Sequence, residues 1–236
     1  MCIAVYCPKG KRITQETFFE CWNSNDDGGG FMYVKNGLQI VKEVDDPAKL
    51  WMQYKNALKI AASPFVLHFR IATSGKVNKE NCHPFKVNDG LAVVHNGMID
   101  IKIKAKSLSD TVHFTKLLRR LPRNFLNKGW ARELISGYCS GSKLVFLSSA
   151  GEVEIINEHL GKWDSGVWFS NNSYKPLVSR TVYTFPTYQA YQGDESSEEI
   201  RVCLECYSPL AGDEVKVCKY CATDPTAFGN LPKFFD

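Results

Sequence analysis

Phe65-Val66-Leu67-His68-Phe69-Arg70-Ile71 is a seven-residue run dominated by aromatic and β-branched side chains. A short apolar run of this kind reads as a buried strand. A second run, Leu91-Ala92-Val93-Val94-His95, has the same character and closes on Asn96-Gly97. Working back from the first run, Asp46-Pro47 opens a helix, with an Asp cap and Pro at the first helical position. Its apolar residues Leu50, Tyr54, Leu58 and Ala61 recur at helical spacing. Further back, Phe31–Val34 and Leu38–Val41 flank Asn36-Gly37, a hairpin signal. A short helix covers the region from Thr14 to Trp22, and Ile3-Ala4-Val5-Tyr6 reads as a strand that starts near the terminus. Working forward, Ser109 and Asp110 cap a helix containing Val112, Leu117, Leu118 and Leu121, and a second helix runs from Phe125 to Tyr138. Lys143–Leu147, Val153–Ile156 and Val167–Phe169 read as further strands. Strands and helices mix without regular βαβ alternation, so the pattern favours an α+β or layered α/β domain over a Rossmann sheet.

The chain has 236 residues, which at about 150 residues per domain is one large domain and a small appendage. Its apolar fraction of 44% is too high for general disorder. The net charge of +4 is too small to argue for nucleic-acid binding on its own. No apolar run is long enough to span a membrane, and no signal peptide is visible, so the expected location is the cytoplasm and no membrane partner is expected. The nine cysteines form an odd set in a chain read as cytoplasmic, which argues against a disulfide framework. They fall into three groups: Cys203, Cys206, Cys218 and Cys221 together near the end, Cys7, Cys21, Cys82 and Cys139 scattered, and Cys2 behind Met1.

If Met1 is removed, Cys2 carries both a thiol and a free α-amine. The amine titrates at about 7.7–8.0 and the thiol at about 8.5, so the amine can take the thiol proton near neutral pH. By position only, the ordinary reading is a small residue opening a strand. Attack on an amide carbon also needs an oxyanion stabiliser. Asn96 and Gly97 offer a side-chain amide and a flexible backbone N–H at one tight turn. Arg70 is a charge in an otherwise apolar strand, where it needs a partner or a ligand, and its fork suits a substrate carboxylate. Asp110 can bind an ammonium, or serve simply as a helix cap.

These segments together resemble a class II glutamine amidotransferase domain of the N-terminal-nucleophile hydrolase superfamily. The resemblance runs from Cys2 to about Leu177, and its motifs come in the family's order: Met1-Cys2-Ile3-Ala4, Asp27-Gly28-Gly29-Gly30, His68–Gly75, Asn81-Cys82-His83-Pro84-Phe85, His95-Asn96-Gly97-Met98-Ile99, Ser109-Asp110-Thr111 and Trp168–Asn172. The Asn-x-His-Pro-Phe segment is similar to that of the stand-alone type. The resemblance implies a four-layer αββα sandwich of two antiparallel sheets. It implies that Cys2 attacks the side-chain amide of L-glutamine, that Asn96 and Gly97 form the oxyanion hole, and that Arg70 and Asp110 hold the α-carboxylate and α-ammonium. Gly28 belongs to the glycine loop near the substrate, and His83 shapes the pocket. No cofactor is expected for catalysis. Where many members carry an Arg near the terminal cysteine, this chain has Asn25-Asp26-Asp27.

The domain is expected over residues 1–185, followed by an acidic linker over 186–200 with Asp194-Glu195 and Glu198-Glu199, and by a tail over 201–236. In the tail, Cys203-Leu204-Glu205-Cys206 and Cys218-Lys219-Tyr220-Cys221 are two C-x-x-C pairs eleven residues apart. Two such pairs complete a tetrahedral thiolate set, so the tail is expected to be a zinc ribbon with a structural metal. Arg201, Lys216 and Lys219 make a thin basic patch, which leaves nucleic acid as a weakly supported partner. Cys7, Cys21, Cys82 and Cys139 are expected to be buried inert thiols.

About 185 residues cover only a glutaminase half, so an ammonia-accepting synthase or transferase is the expected partner. The alternatives are an amidase of the same superfamily acting on another γ-glutamyl or amide substrate, and a catalytically silent adaptor that binds through its ribbon.

Overall fold

The computed structural model describes residues 2–73, 75–102 and 105–175. The acidic linker and the four tail cysteines lie outside the described residues.

Among the described residues, ten strands form two antiparallel sheets. The first sheet holds β1 (Ile3–Cys7), β2 (Gly29–Val34), β3 (Leu38–Glu43), β4 (Phe65–Phe69), β9 (Lys162–Asp164) and β10 (Val167–Phe169), in the order β3-β2-β4-β1-β10-β9. The second holds β5 (Phe85–Asn88), β6 (Leu91–Asn96), β7 (Lys143–Ser148) and β8 (Val153–Ile156), in that order. Helices α1 (Gln15–Asn23), α2 (Pro47–Ile60), α3 (Asp110–Leu118) and α4 (Gly129–Tyr138) complete the described elements, with short 3-10 turns at Phe125–Asn127 and Glu158–Leu160.

Alternation along the strands assigns the layers. Side chains two residues apart share a face. Ile3, Val5, Phe31, Tyr33, Phe65, Leu67 and Phe69 pack with Phe18 of α1 and Leu50 and Tyr54 of α2. On the opposite faces, Ala4, Met32, Val66 and Trp168 of the first sheet meet Ala92, Val94, Val145 and Leu147 of the second. Leu91, Val93, Leu144 and Phe146 turn outward to Phe114 and Leu118 of α3 and Ala131 and Ile135 of α4. The layers therefore run helices, sheet, sheet, helices.

Three helices begin where a side-chain cap satisfies an orphan N–H. Thr14 accepts from Thr17, Asp46 from Lys49 and Ser109 from Val112. Several boundaries differ from the sequence reading. β4 ends at Phe69, and Arg70 follows it, though its N–H still bonds the Gly28 carbonyl at 2.7 Å. α3 stops at Leu118, so Leu121 lies outside it, one residue before Pro122. The helix expected from Phe125 is a 3-10 turn followed by α4 from Gly129. The hairpin register pairs Val34 with Leu38, leaving residues 35–37 as the loop, with Asn36 and Gly37 both at positive φ. β5 and β9 had no counterpart in the sequence reading; the alternating burial of Phe85 and Val87 is the signal for β5. Cys7, Cys21, Cys82 and Cys139 are buried free thiols, as expected, and burial pushes Cys82 up to about 11 and Cys7 and Cys139 to about 12. Among the described residues, no helix is long and apolar enough to cross a membrane.

Candidate active site

The register of β1 against β4 pairs Ile3 with Phe69. One step further along, Cys2 comes beside Arg70, at the end of the first sheet. The Cys2 thiol lies against the Ile71 backbone, with Sγ 3.2 Å from the carbonyl oxygen and 3.3 Å from the amide nitrogen. Burial raises its pKa; the hydrogen bond with Ile71 and the positive charge of Arg70 oppose that rise. Arg70 is itself buried.

Two side-chain amides converge on the Cys2 carbonyl. Asn96, at the end of β6 in the second sheet, donates its Nδ2 to it, and Asn171, just past β10, donates at 2.7 Å. By strand parity Asn96 shares the inter-sheet face with Ala92 and Val94, which aims it across at Cys2. Ala4 N–H bonds Ser170 Oγ at 2.8 Å, and Ser170 N–H returns to the Ala4 carbonyl at 2.9 Å. Ser170 and Asn171 thus orient the start of the chain. The Asp27 carboxylate accepts from Ala72 N–H at 2.7 Å and fixes the segment after Arg70.

The turn after Asn96 is held on several sides. Gly97 has φ of 140°, and a Cβ there would stand 2.3 Å from Ser142 Oγ. That oxygen donates to the Met98 carbonyl at 2.9 Å. Asp110, the first residue of α3, accepts from Ile99 N–H at 2.8 Å through one oxygen and from Thr111 N–H at 2.7 Å through the other. Asp110 is therefore a tie between α3 and the turn; Ser109 is the cap. A carboxylate offers about four lone-pair sites, so acceptor capacity remains. Gly97 and Met98 are exposed, Met98 at 77%, so the turn opens to solvent.

His83 and Gly28 sit deeper. Gly28 is buried and its carbonyl accepts from Arg70 N–H. The His83 carbonyl presses on Gly30, where a Cβ would come within 2.2 Å of it, so only glycine fits. The buried His83 ring lies tilted over His68, with centroids 3.9 Å apart, and meets the Phe85 ring edge-on at 4.4 Å. Its ring nitrogens have no partner among the described residues. His68, His83 and His95 are all held below the ordinary histidine pKa by burial, His68 at about 3 and His95 at about 4. The described residues contain no group of three or more His, Cys, Asp or Glu that could hold a metal ion.

The structure thus brings Cys2, Arg70, Asn96, Gly97 and Asp110 into one connected region, with His83 and Gly28 in the packing behind it. Asn171, Ser170, Thr111, Asn81 and Ser142 had no assigned role in the sequence reading. Asn81 is a buried hub: its Nδ2 donates to the Lys76 and Ser107 carbonyls, and its Oδ1 accepts from Ser109 N–H. A buried Asn inside a motif was the one available hint.

Comparison with known proteins gives three further findings. The family of class-II glutamine amidotransferases matches over residues 17–122, a span that includes Arg70, Asn96, Gly97 and Asp110 and stops short of Cys2. Glutamine–fructose-6-phosphate aminotransferase (isomerizing) of Buchnera aphidicola is 51% identical over 76 residues, and that of Francisella tularensis is 33% identical over 76; each match covers 31% of this chain and 12% of the relative. A glutamine phosphoribosylpyrophosphate amidotransferase from B. subtilis superimposes with a TM-score of 0.46 at 16% identity, covering 72% of this chain and 41% of that one. The family match therefore places residues 17–122, a little under half of the chain, as similar to class-II glutamine amidotransferases, and the chain spans only a small part of the length of the relatives it matches.

Proposed function

We propose that the protein hydrolyses the side-chain amide of glutamine through a Cys2 thioester and passes the ammonia to an acceptor enzyme. The observation that carries this reading is the convergence of three distant segments. Cys2, Arg70 and the Asn96-Gly97 turn meet at one end of the paired sheets, with the Asn96 amide on the Cys2 backbone.

After removal of Met1, the Cys2 amine takes the thiol proton and the thiolate attacks the amide carbon. The electron pair of the C=O bond moves to oxygen. The side-chain N–H of Asn96 and the backbone N–H of Gly97 receive that oxyanion. An amide nitrogen carries two hydrogens, so Asn96 can hold the Cys2 carbonyl with one and the oxyanion with the other. The oxyanion then collapses and the C–N bond breaks as the ammonium of Cys2 returns its proton to the amide nitrogen, which leaves as ammonia. Water hydrolyses the thioester to glutamate. Arg70 pairs with the substrate α-carboxylate and Asp110 with its α-ammonium, which together select a free amino acid over other amides. The acceptor of the ammonia is a partner synthase or transferase.

The test joins intact mass with ammonia release. Protein lacking Met1 should release ammonia from glutamine, and Cys2→Ala should lose that activity. Retention of Met1, or equal activity in both proteins, overturns the reading. For the tail, the spacing of Cys203, Cys206, Cys218 and Cys221 supports a structural zinc ribbon. Purified protein should hold about one zinc per chain, reduced in Cys203→Ser; metal-free fresh protein contradicts the ribbon.

A further inference from the structure

We infer that His68 is a positioning residue for the oxyanion turn: its Nε2–H holds the carbonyl of His95, the residue that precedes Asn96-Gly97. This inference rests on the glutaminase reading above.

The bond is 2.8 Å long and joins a side chain of β4 in the first sheet to the backbone of β6 in the second. Both residues are buried. Because the acceptor is a carbonyl, Nε2 must carry the hydrogen. The place where the bond falls gives it meaning. β5 pairs with β6 from Leu91 only as far as Val93, so His95 and Asn96 have a strand partner on the β7 side alone, at Leu144 and Lys143. His68 adds a tie to the first sheet where the ladder on the other side has run out.

A second tie between the sheets lies beside it, from the Asn96 amide to the Cys2 carbonyl. That amide is the group the reaction uses. As its donors are shared between the Cys2 carbonyl and a developing oxyanion, the His68–His95 bond is the contact that does not change during turnover. On its far side His95 is anchored too. The Thr111 hydroxyl donates to Asp110 at 3.2 Å, which leaves it to accept from His95 Nδ1–H at 2.8 Å. One chain of bonds thus runs from β4 through the end of β6 to α3, linking the sheet that carries Arg70 to the helix that carries Asp110. Burial keeps His68 neutral, so the donor is present at all pH values where the enzyme would work.

The experiment compares His68→Leu, which deletes the donor, with His68→Gln, whose terminal amide can place an N–H near the same point. Ammonia release is measured across glutamine concentration, with wild type and Cys2→Ala alongside. A misplaced catalytic group costs up to about 100-fold in rate. We expect kcat to fall on the order of 10- to 100-fold in His68→Leu with KM little changed, since Arg70 and Asp110 are untouched. His68→Gln should recover most of that loss. Binding of the γ-aldehyde analogue of glutamine, which forms a tetrahedral adduct on Cys2, should weaken in His68→Leu while glutamate binding does not. Should His68→Leu fail to fold, His68→Asn, polar but too short to reach, takes its place. Wild-type kcat in the donor-less variant overturns the inference, as does an equal loss in His68→Leu and His68→Gln. If wild type hydrolyses glutamine and Cys2→Ala does not, either result sinks this inference only. A wild type inactive toward glutamine removes the parent reading and this one with it.

Discussion

At Gly97 the backbone holds φ of 140°, a region that side-chain-bearing residues rarely adopt, and Ser142 leaves no room for a Cβ. The nearest atoms include the Ser142 backbone Cα at 2.8 Å, so rotation of the hydroxyl does not relieve the clash. Gly97→Ala is expected to lose about 1–3 kcal/mol of stability from backbone strain, and ammonia release should fall further than folding does, because the N–H proposed to receive the oxyanion is displaced. Denaturant melts beside initial rates check this; an Ala variant with wild-type stability and rate contradicts it. Gly97 was legible as a turn residue because Asn-Gly after an apolar run is a local signal. That the turn comes up against Cys2, through the Asn96 amide, was not, because the 94 residues between Cys2 and Gly97 contain no repeating pattern.

Among the elements, α3 shows how a helix start becomes part of a site. Ser109 caps it, Asp110 reaches back to Ile99 and Thr111 reaches His95. Three consecutive residues thus serve folding and geometry together. Ser109→Ala removes the cap and should lower stability by about 1 kcal/mol. A thermal melt measures that cost, and an unchanged melting temperature would show that the cap contributes nothing here. The cap was readable from Ser109-Asp110 before an apolar periodic segment. The length of α3 was less so: Leu121 continues the apolar pattern after the helix has ended, and a buried side chain does not say whether a helix or a turn carries it. The same ambiguity merged the 3-10 turn at Phe125–Asn127 with α4. Arg70 is the converse case. Its apolar neighbours made it look like a strand residue, yet β4 ends one residue earlier, and the backbone of Arg70 bonds the glycine loop instead.

Over the whole molecule, the buried histidines set a direction for pH dependence. His68 is pushed down to about 3 and His95 to about 4 from an ordinary value near 6.5, and His83 lies well below it too. In the unfolded chain these groups bind protons near pH 6.5; in the folded chain they do not. The folded state therefore holds fewer protons between about pH 6.5 and 4, and stability rises with pH across that window. Their contribution is complete above pH 6.5 and is lost as pH falls toward 4. Thermal melts from pH 7.5 to 4.5 should show a falling melting temperature below pH 6.5, with a shallower fall in His68→Gln; a flat profile contradicts the account. By itself the sequence determined most strands and helix starts, the four-cysteine spacing of the tail and the types of chemistry on offer, because caps, turns and apolar periods act between near neighbours in the chain. Only the tertiary structure decided that Asn96 and Asn171 hold the Cys2 carbonyl, that Asp110 first holds the turn, and that His68 ties the two sheets. Each of those contacts depends on strand register and on the packing of one sheet against the other, which bring residues far apart in sequence within hydrogen-bond distance.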